Sequence, residues 1–164
     1  MKQCPCGSQV YYSKCCELYL IGEQVPSSPE ALMRSRYAAY SIADIDYIKK
    51  TMQGKPLNGF DEVEARSWAE SVTWLGLKVI NTTIETPSLG YVEFIARYME
   101  GDKIKFIHEI SEFHFQAGRW FYVDGRYSNT TKSHNNQKIS RNSLCPCASQ
   151  KKFKNCHGKP SSTA

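Results

Sequence analysis

The chain has 164 residues, 41% hydrophobic and 23% charged, a globular composition with room for one ordinary domain and small appendages. No apolar run approaches the ~20 residues of a membrane span, and the N-terminal MKQCPCGSQV lacks the apolar stretch of a secretory signal; a cytoplasmic protein with reduced cysteines is therefore expected. The net charge of +5 is uneven: residues 126–164 hold eight Lys/Arg and no Asp or Glu, against 13 basic and 16 acidic side chains before them, which suits an anionic partner or a merely solubilising tail.

Residues 1–22 contain Cys4, Cys6, Cys15 and Cys16 in CPCGSQVYYSKCC. The far end repeats the pattern as CPCASQKKFKNCH, with Cys145, Cys147, Cys156 and His157. Both copies read C-x-C-x8-C-[CH], and an odd total of seven cysteines argues against a closed disulfide framework. Four soft ligands per copy match tetrahedral zinc, with sulfur at ~2.3 Å and imidazole nitrogen at ~2.0–2.1 Å. Pro5 and Pro146 restrict the backbone between the paired thiols, and Tyr12 and Phe153 take equivalent places as a minimal core. So small a unit cannot bury enough apolar surface alone, and metal binding of roughly 10–16 kcal/mol would be its folding energy. Protein ligands fill all four positions, so such zincs would be structural rather than catalytic. For the first copy, disulfides or free thiols stay open, because vicinal Cys15 and Cys16 make an awkward ligand pair.

Residues 23–128 read as helices followed by strands. Ser28 can cap a helix with Pro29 in its first turn, Ser27 and Glu30 forming the alternative capping box. Met33, Tyr37 and Tyr40 share one face of that helix. Asp44 is expected to cap a short helix carrying Ile45 and Ile48. Asp61 with Glu64 opens another, whose inner face is Ala65, Trp68, Ala69 and Val72. TWLGLKVINTTIE, GYVEFIARYM, KIKFIHEISEFHF and RWFYVDG then alternate as four antiparallel strands, with Val92, Phe94, Ala96 and Tyr98 on one face of the second. The expected fold is α+β, with helices packed on a curved antiparallel sheet.

Residues 129–140 read as a polar linker that would let the following knuckle, residues 141–160, move relative to the body. Lys151, Lys152, Lys154, Lys159 and Arg141 surround the second ligand set.

RNSLCPCASQKKFKNCHG closely resembles the SEC-C motif, the zinc knuckle at the C-terminus of the SecA translocation ATPase and in several small bacterial proteins. Two such ends flanking PEALMRSRYAAYSIADIDYI, with TWLGLKVI, HEISEF and GRWFYVDG, make nearly the entire chain resemble the YchJ family. That resemblance implies a middle cone of the nuclear-transport-factor-2-like type. Ala148 stands where the motif usually has glycine, and Gln9 and Gln150 replace another; if those glycines take positive φ, this hairpin is strained.

Cones of this type often enclose a pocket, and enzymes and non-enzymes share them. The candidates here are Arg34, Tyr37, Trp74, His108, Glu109, Tyr122 and Asp124. His108 shares parity with Ile104, Phe106 and Ile110 and is expected to point inward, as a general base or as a satisfied core histidine. No nucleophilic triad spacing, phosphate loop or HExxH is present, so no catalytic residue is named. Three functions compete. The first is a zinc-binding adaptor whose basic knuckle docks an acidic protein or RNA, at the ribosome or secretion apparatus. The second is a small-molecule binder or enzyme using the cone pocket. The third is a zinc or thiol redox sensor with Cys15 and Cys16 most readily oxidised. Cone folds commonly dimerise sheet to sheet, so a homodimer also stays open.

Overall fold

Five α-helical segments precede a four-stranded meander in the computed structural model, which describes residues 2–128 and 136–160. The helices are α1 (Cys16–Leu20), α2 (Pro29–Ser41), α3 (Ile45–Lys50), α4 (Lys55–Asn58) and α5 (Glu62–Ser71). Ser28 caps α2, its Oγ accepting from the Ala31 amide at 3.1 Å with Pro29 at the first position. Asp44 accepts from the Tyr47 amide at 3.0 Å and Asp61 from the Glu64 amide at 2.9 Å, so both acidic caps act as expected. Among the described residues, no helix is long and apolar enough to cross a membrane.

The strands are β1 (Thr73–Thr86), β2 (Leu89–Glu100), β3 (Lys103–Gln116) and β4 (Arg119–Tyr127), each antiparallel to the next. Two-residue turns join them. Gly101 adopts φ 59°, and Ala117 and Gly118 adopt φ 49° and 80°, the left-handed backbone that matches hairpin twist. The free edge of β4 is covered by residues 51–53. Tyr122 N donates to Thr51 O, and Gln53 N to Tyr122 O, both at 2.9 Å.

Helix α2 is sandwiched. Leu32, Met33 and Tyr37 face Val92, Phe94, Ala96 and Phe113 of the sheet, while Ala38 and Ala39 face Tyr47, Ile48 and the first cysteine cluster. The second cysteine cluster lies on the opposite side of the sheet. Cys145 and Phe153 pack with Ile139 against Met99, whose parity on β2 is opposite to Ala96 and Tyr98. Of the expected linker, residues 129–135 lie outside the described residues. Its remainder is not a free tether: β5 (Gln137–Lys138) pairs with β3 at Lys103 and Ile104, and Ile139 is buried. The second knuckle is therefore docked on the body rather than loosely carried, because Ile139 and Phe153 bury more apolar area there than a solvated linker could.

Candidate metal centres and cavity

The two cysteine clusters are built alike. Each begins with a tight hairpin, Cys4 N donating to Val10 O and Cys145 N to Lys151 O, both at 2.8 Å. Short 3-10 turns, Tyr12–Lys14 and Phe153–Asn155, then lead to the adjacent ligand pair. Cys15 (φ −134°, ψ −114°) and Cys156 (φ −129°, ψ −109°) break the helical path in the same way. That break turns two consecutive side chains to one point, which resolves the awkwardness of a vicinal pair.

In each cluster the four ligand atoms lie within 4.8 Å of one another. Cys6 and Cys15 Sγ are 3.7 Å apart, and Cys15 and Cys16 Sγ 3.9 Å. In the other cluster Cys147 and Cys156 Sγ are 3.6 Å apart, and His157 Nδ1 lies 3.2 Å from Cys145 Sγ and 3.3 Å from Cys156 Sγ. A tetrahedron with ~2.3 Å metal–sulfur bonds has sulfur–sulfur edges of ~3.8 Å, so the residues fit a four-coordinate metal ion. A disulfide at ~2.05 Å does not fit, and all seven cysteines are free. Ser8 Oγ lies 3.2 Å from Cys15 Sγ and Ser149 Oγ 3.3 Å from Cys156 Sγ, placing one hydroxyl beside each cluster.

The thiols share their protons unequally. A hydrogen bond from Cys16 pulls Cys6 down to about 4, whereas burial pushes Cys4 up to about 11. Cys16 is pushed up by its hydrogen bond to Cys6 and by burial. The second cluster repeats this: the Ser149 hydroxyl pulls Cys147 down to about 6, and burial raises Cys145. One thiolate is thus stabilised in each set, and a bound cation is needed for the others to ionise together.

Both glycine-deficient positions carry the strain expected of them. Gln9, Ala148 and Gln150 sit at φ 63°, 61° and 60°, while Gly7, the counterpart of Ala148, sits at 77°. Gly7 also needs its missing side chain, since a Cβ there would stand 3.0 Å from Leu77 O.

The cone encloses a cavity of about 280 Å³ between α2, α5 and the sheet. Tyr37, Trp74, Glu109 and Tyr122 line it. Arg34, His108 and Asp124 do not. Arg34 faces the first knuckle and ion-pairs with Glu30 at 2.8 Å, and Arg36 takes the place in the wall. Asp124 is exposed and accepts from the Gly125 amide at 2.8 Å. His108 stands on the outer face of the sheet, Nε2 2.7 Å from Glu93 Oε1. The expected parity of β3 is therefore reversed. Val92, Phe94 and Ala96 pair with Ser111, Glu109 and Ile107, and directly opposed residues share a face. The two-residue turn at Gly101–Asp102 sets that register and could have revealed it from the sequence. Glu109 and Ser111 disguised the inner face by being polar.

Within the cavity Glu109 is a hub, its Oε1 accepting from Ser111 Oγ at 2.7 Å and Tyr122 Oη at 3.1 Å. Gly125 makes room for it, as a Cβ there would collide with the carboxylate. Arg36 donates from Nη1 to Ile48 O at 2.8 Å and Thr51 Oγ1 at 2.7 Å, with its guanidinium 4.7 Å from the Tyr122 ring centre.

Comparison with known proteins follows this division of the chain. Residues 28–125 match the YchJ middle NTF2-like domain, and residues 141–159 match the SEC-C motif. A UPF0225 protein of Enterobacter sp. (strain 638) is 42% identical over 156 residues, covering 94% of this chain and 97% of its own. The solution structure of RPA3114, a SEC-C motif containing protein from Rhodopseudomonas palustris, is 41% identical. It superposes with a TM-score of 0.71 over 77% of this chain and 98% of that one. A SEC-C motif containing protein from Psychrobacter arcticus, 27% identical, gives a TM-score of 0.68 over 96% of both chains. With its middle domain matched and a relative aligned from end to end, this chain belongs to the YchJ, or UPF0225, family.

Proposed function

We propose that the protein is a zinc-stabilised docking adaptor working in a reducing cytoplasm, with one structural Zn²⁺ in each cysteine cluster. The ligand sets support zinc: borderline-soft Zn²⁺ suits four thiolates or three thiolates and an imidazole, and it tolerates a closed tetrahedral site. When bound, the ion would supply folding energy and no open coordination position. Cys4, Cys6 and Cys16 are each no more than 5% exposed. Cys15 alone of the first cluster is half-buried, so the shielding of its three partners favours a structural role over a redox sensor, which needs accessible thiolates.

The observation carrying the docking role is the surface of the second knuckle. Lys151, Lys152, Lys159 and Arg141 are exposed and Lys154 is half-buried around its ligands. The chain from residue 126 onward contains no acidic side chain to neutralise them. Held on the sheet by Ile139 and Phe153, these charges form a fixed positive face for phosphates or an acidic protein surface. An RNA-containing partner such as the ribosome fits this chemistry. The test is co-sedimentation of the metal-loaded protein with ribosomes across a salt series. Binding should fall steeply with salt, by ~0.7–0.9 logarithmic units per logarithmic unit of salt for each phosphate contact. Lys151→Glu with Lys152→Glu should abolish it. Binding indifferent to salt and to those reversals would remove the docking role.

A further inference from the structure

We infer that the cone cavity is a binding site for a free α-amino acid with a large apolar side chain, its carboxylate held by Arg36 and its ammonium by Glu109. The site is independent of the docking role and of the metal clusters. Its first support is a pair of opposite charges in one wall. Arg36 and Glu109 both line the cavity and are only 6% and 9% exposed, yet no ion pair joins them among the described residues. Two buried charges left apart are costly, and each gains from a countercharge delivered between them.

The second support is unused hydrogen-bonding capacity. Arg36 spends Nη1 on Ile48 O and Thr51 Oγ1, which leaves Nε and Nη2 to donate. Glu109 spends Oε1 on the Ser111 and Tyr122 hydroxyls, which leaves Oε2 to accept. Among the described residues, the one partnerless side-chain nitrogen or oxygen sealed from solvent is Trp74 Nε1, so the free atoms of Arg36 and Glu109 keep accessible surface. With both residues in its wall, that surface opens on the cavity.

Position and shape narrow the class. The Arg36 guanidinium lies 4.7 Å from the Tyr122 ring centre, and the hydroxyl of the same ring donates to Glu109 at 3.1 Å. The two charges thus stand around one side chain, close enough for a carboxylate and an ammonium borne on a single carbon. A lone anion would face Glu109 and a lone cation would face Arg36, each leaving one buried charge unmatched. The rest of the wall, including Met33, Tyr40, Trp68 and Phe94, suits an apolar or aromatic side chain. At about 280 Å³ the cavity equals the share of about nine water molecules at ~30 Å³ each, room for leucine or phenylalanine. Tyr127 lines it while 75% exposed, so a way in from solvent lies beside that ring.

The test is calorimetric titration of the full, metal-loaded chain with three ligands: phenylalanine, 3-phenylpropionate, which lacks the amine, and phenethylamine, which lacks the carboxylate. Phenylalanine should bind saturably and each analogue at least tenfold more weakly, the loss of one charged pair. Glu109→Gln should weaken phenylalanine about tenfold and leave 3-phenylpropionate as tight or tighter. General damage to the cavity would instead weaken both and count against the assignment. Glu93→Gln on the outer face should change neither. If Glu109→Gln fails to fold, the three ligands on the unaltered chain still decide. Either analogue binding as tightly as phenylalanine, or no phenylalanine binding at millimolar concentration, would overturn the proposal.

Discussion

Arg34 Nη1 donates a 2.7 Å hydrogen bond to the carbonyl oxygen of Cys6, tying α2 to the knuckle 28 residues before it. The same guanidinium binds Glu30, whose Oε2 accepts from Thr82 Oγ1 on β1 at 3.3 Å. Helix, sheet and first cysteine cluster are thus joined through one side chain. Arg34→Ala should lower stability by roughly 1.5–3 kcal/mol, the range for charge-assisted hydrogen bonds, discounted for partial exposure. It should also speed metal loss from the first cluster alone. Chelator competition followed at each site checks this; equal loss at both clusters would show that Arg34 does not act locally.

Ala148 and Gly7 occupy equivalent hairpin positions and should respond oppositely to exchange. Ala148→Gly relieves a left-handed alanine, a strain of ~1–2 kcal/mol, less the entropy that glycine adds to the unfolded chain. A net slowing of metal release from the second cluster is expected. Gly7→Ala imposes the same strain and drives a Cβ toward Leu77 O, so the first cluster should release its metal faster. Paired chelation rates on the two variants give the comparison.

Alkaline pH should erode stability through buried tyrosines. Burial pushes both Tyr37 and Tyr47 up to about 12. Below the ordinary tyrosine value of ~10 both states keep the proton and stability is complete. Between ~10 and ~12 only the unfolded chain ionises, so stability falls as pH rises, by roughly 3 kcal/mol per tyrosine before levelling off. Burial raises Tyr122 further still, so Tyr47→Phe should remove no more than about a third of that slope. Urea unfolding measured from pH 8 to 11.5 reads it directly, and a flat profile would contradict the burial.

Phe153 anchors the second knuckle, being 4% exposed against Met99 and Ile139. Phe153→Ala should cost roughly 3–5 kcal/mol locally and free the knuckle from the sheet. Hydrogen exchange at Ile139, whose amide donates to Asp102 O at 2.8 Å, should accelerate while the first cluster stays protected. Unchanged protection at Ile139 would mean that the knuckle is held by other contacts.

Much of this is legible in the sequence alone. Ligand spacing located both clusters because a metal site is a local constraint on few residues. Caps at Ser28, Asp44 and Asp61 were legible because capping is also local. The face assignment of β3 failed, because periodicity cannot distinguish a polar residue facing a cavity from one facing water. Glu109 and Ser111 gave the buried face a solvent-like pattern, and only the hairpin register corrects it. The docking of the second knuckle was hidden for a different reason. Ile139 is a single apolar residue in a polar stretch, and its partners Met99 and Ile104 lie some 35–40 residues earlier.

The central claim is that two closed metal clusters hold this molecule's ends against its core, and the most direct measurement is a native mass spectrum of protein purified without chelator. The account predicts a mass increase of two zinc ions, falling to one when Cys147→Ala removes a ligand of the second cluster. Protein with no metal, or lighter by the hydrogens lost to disulfides, would contradict it.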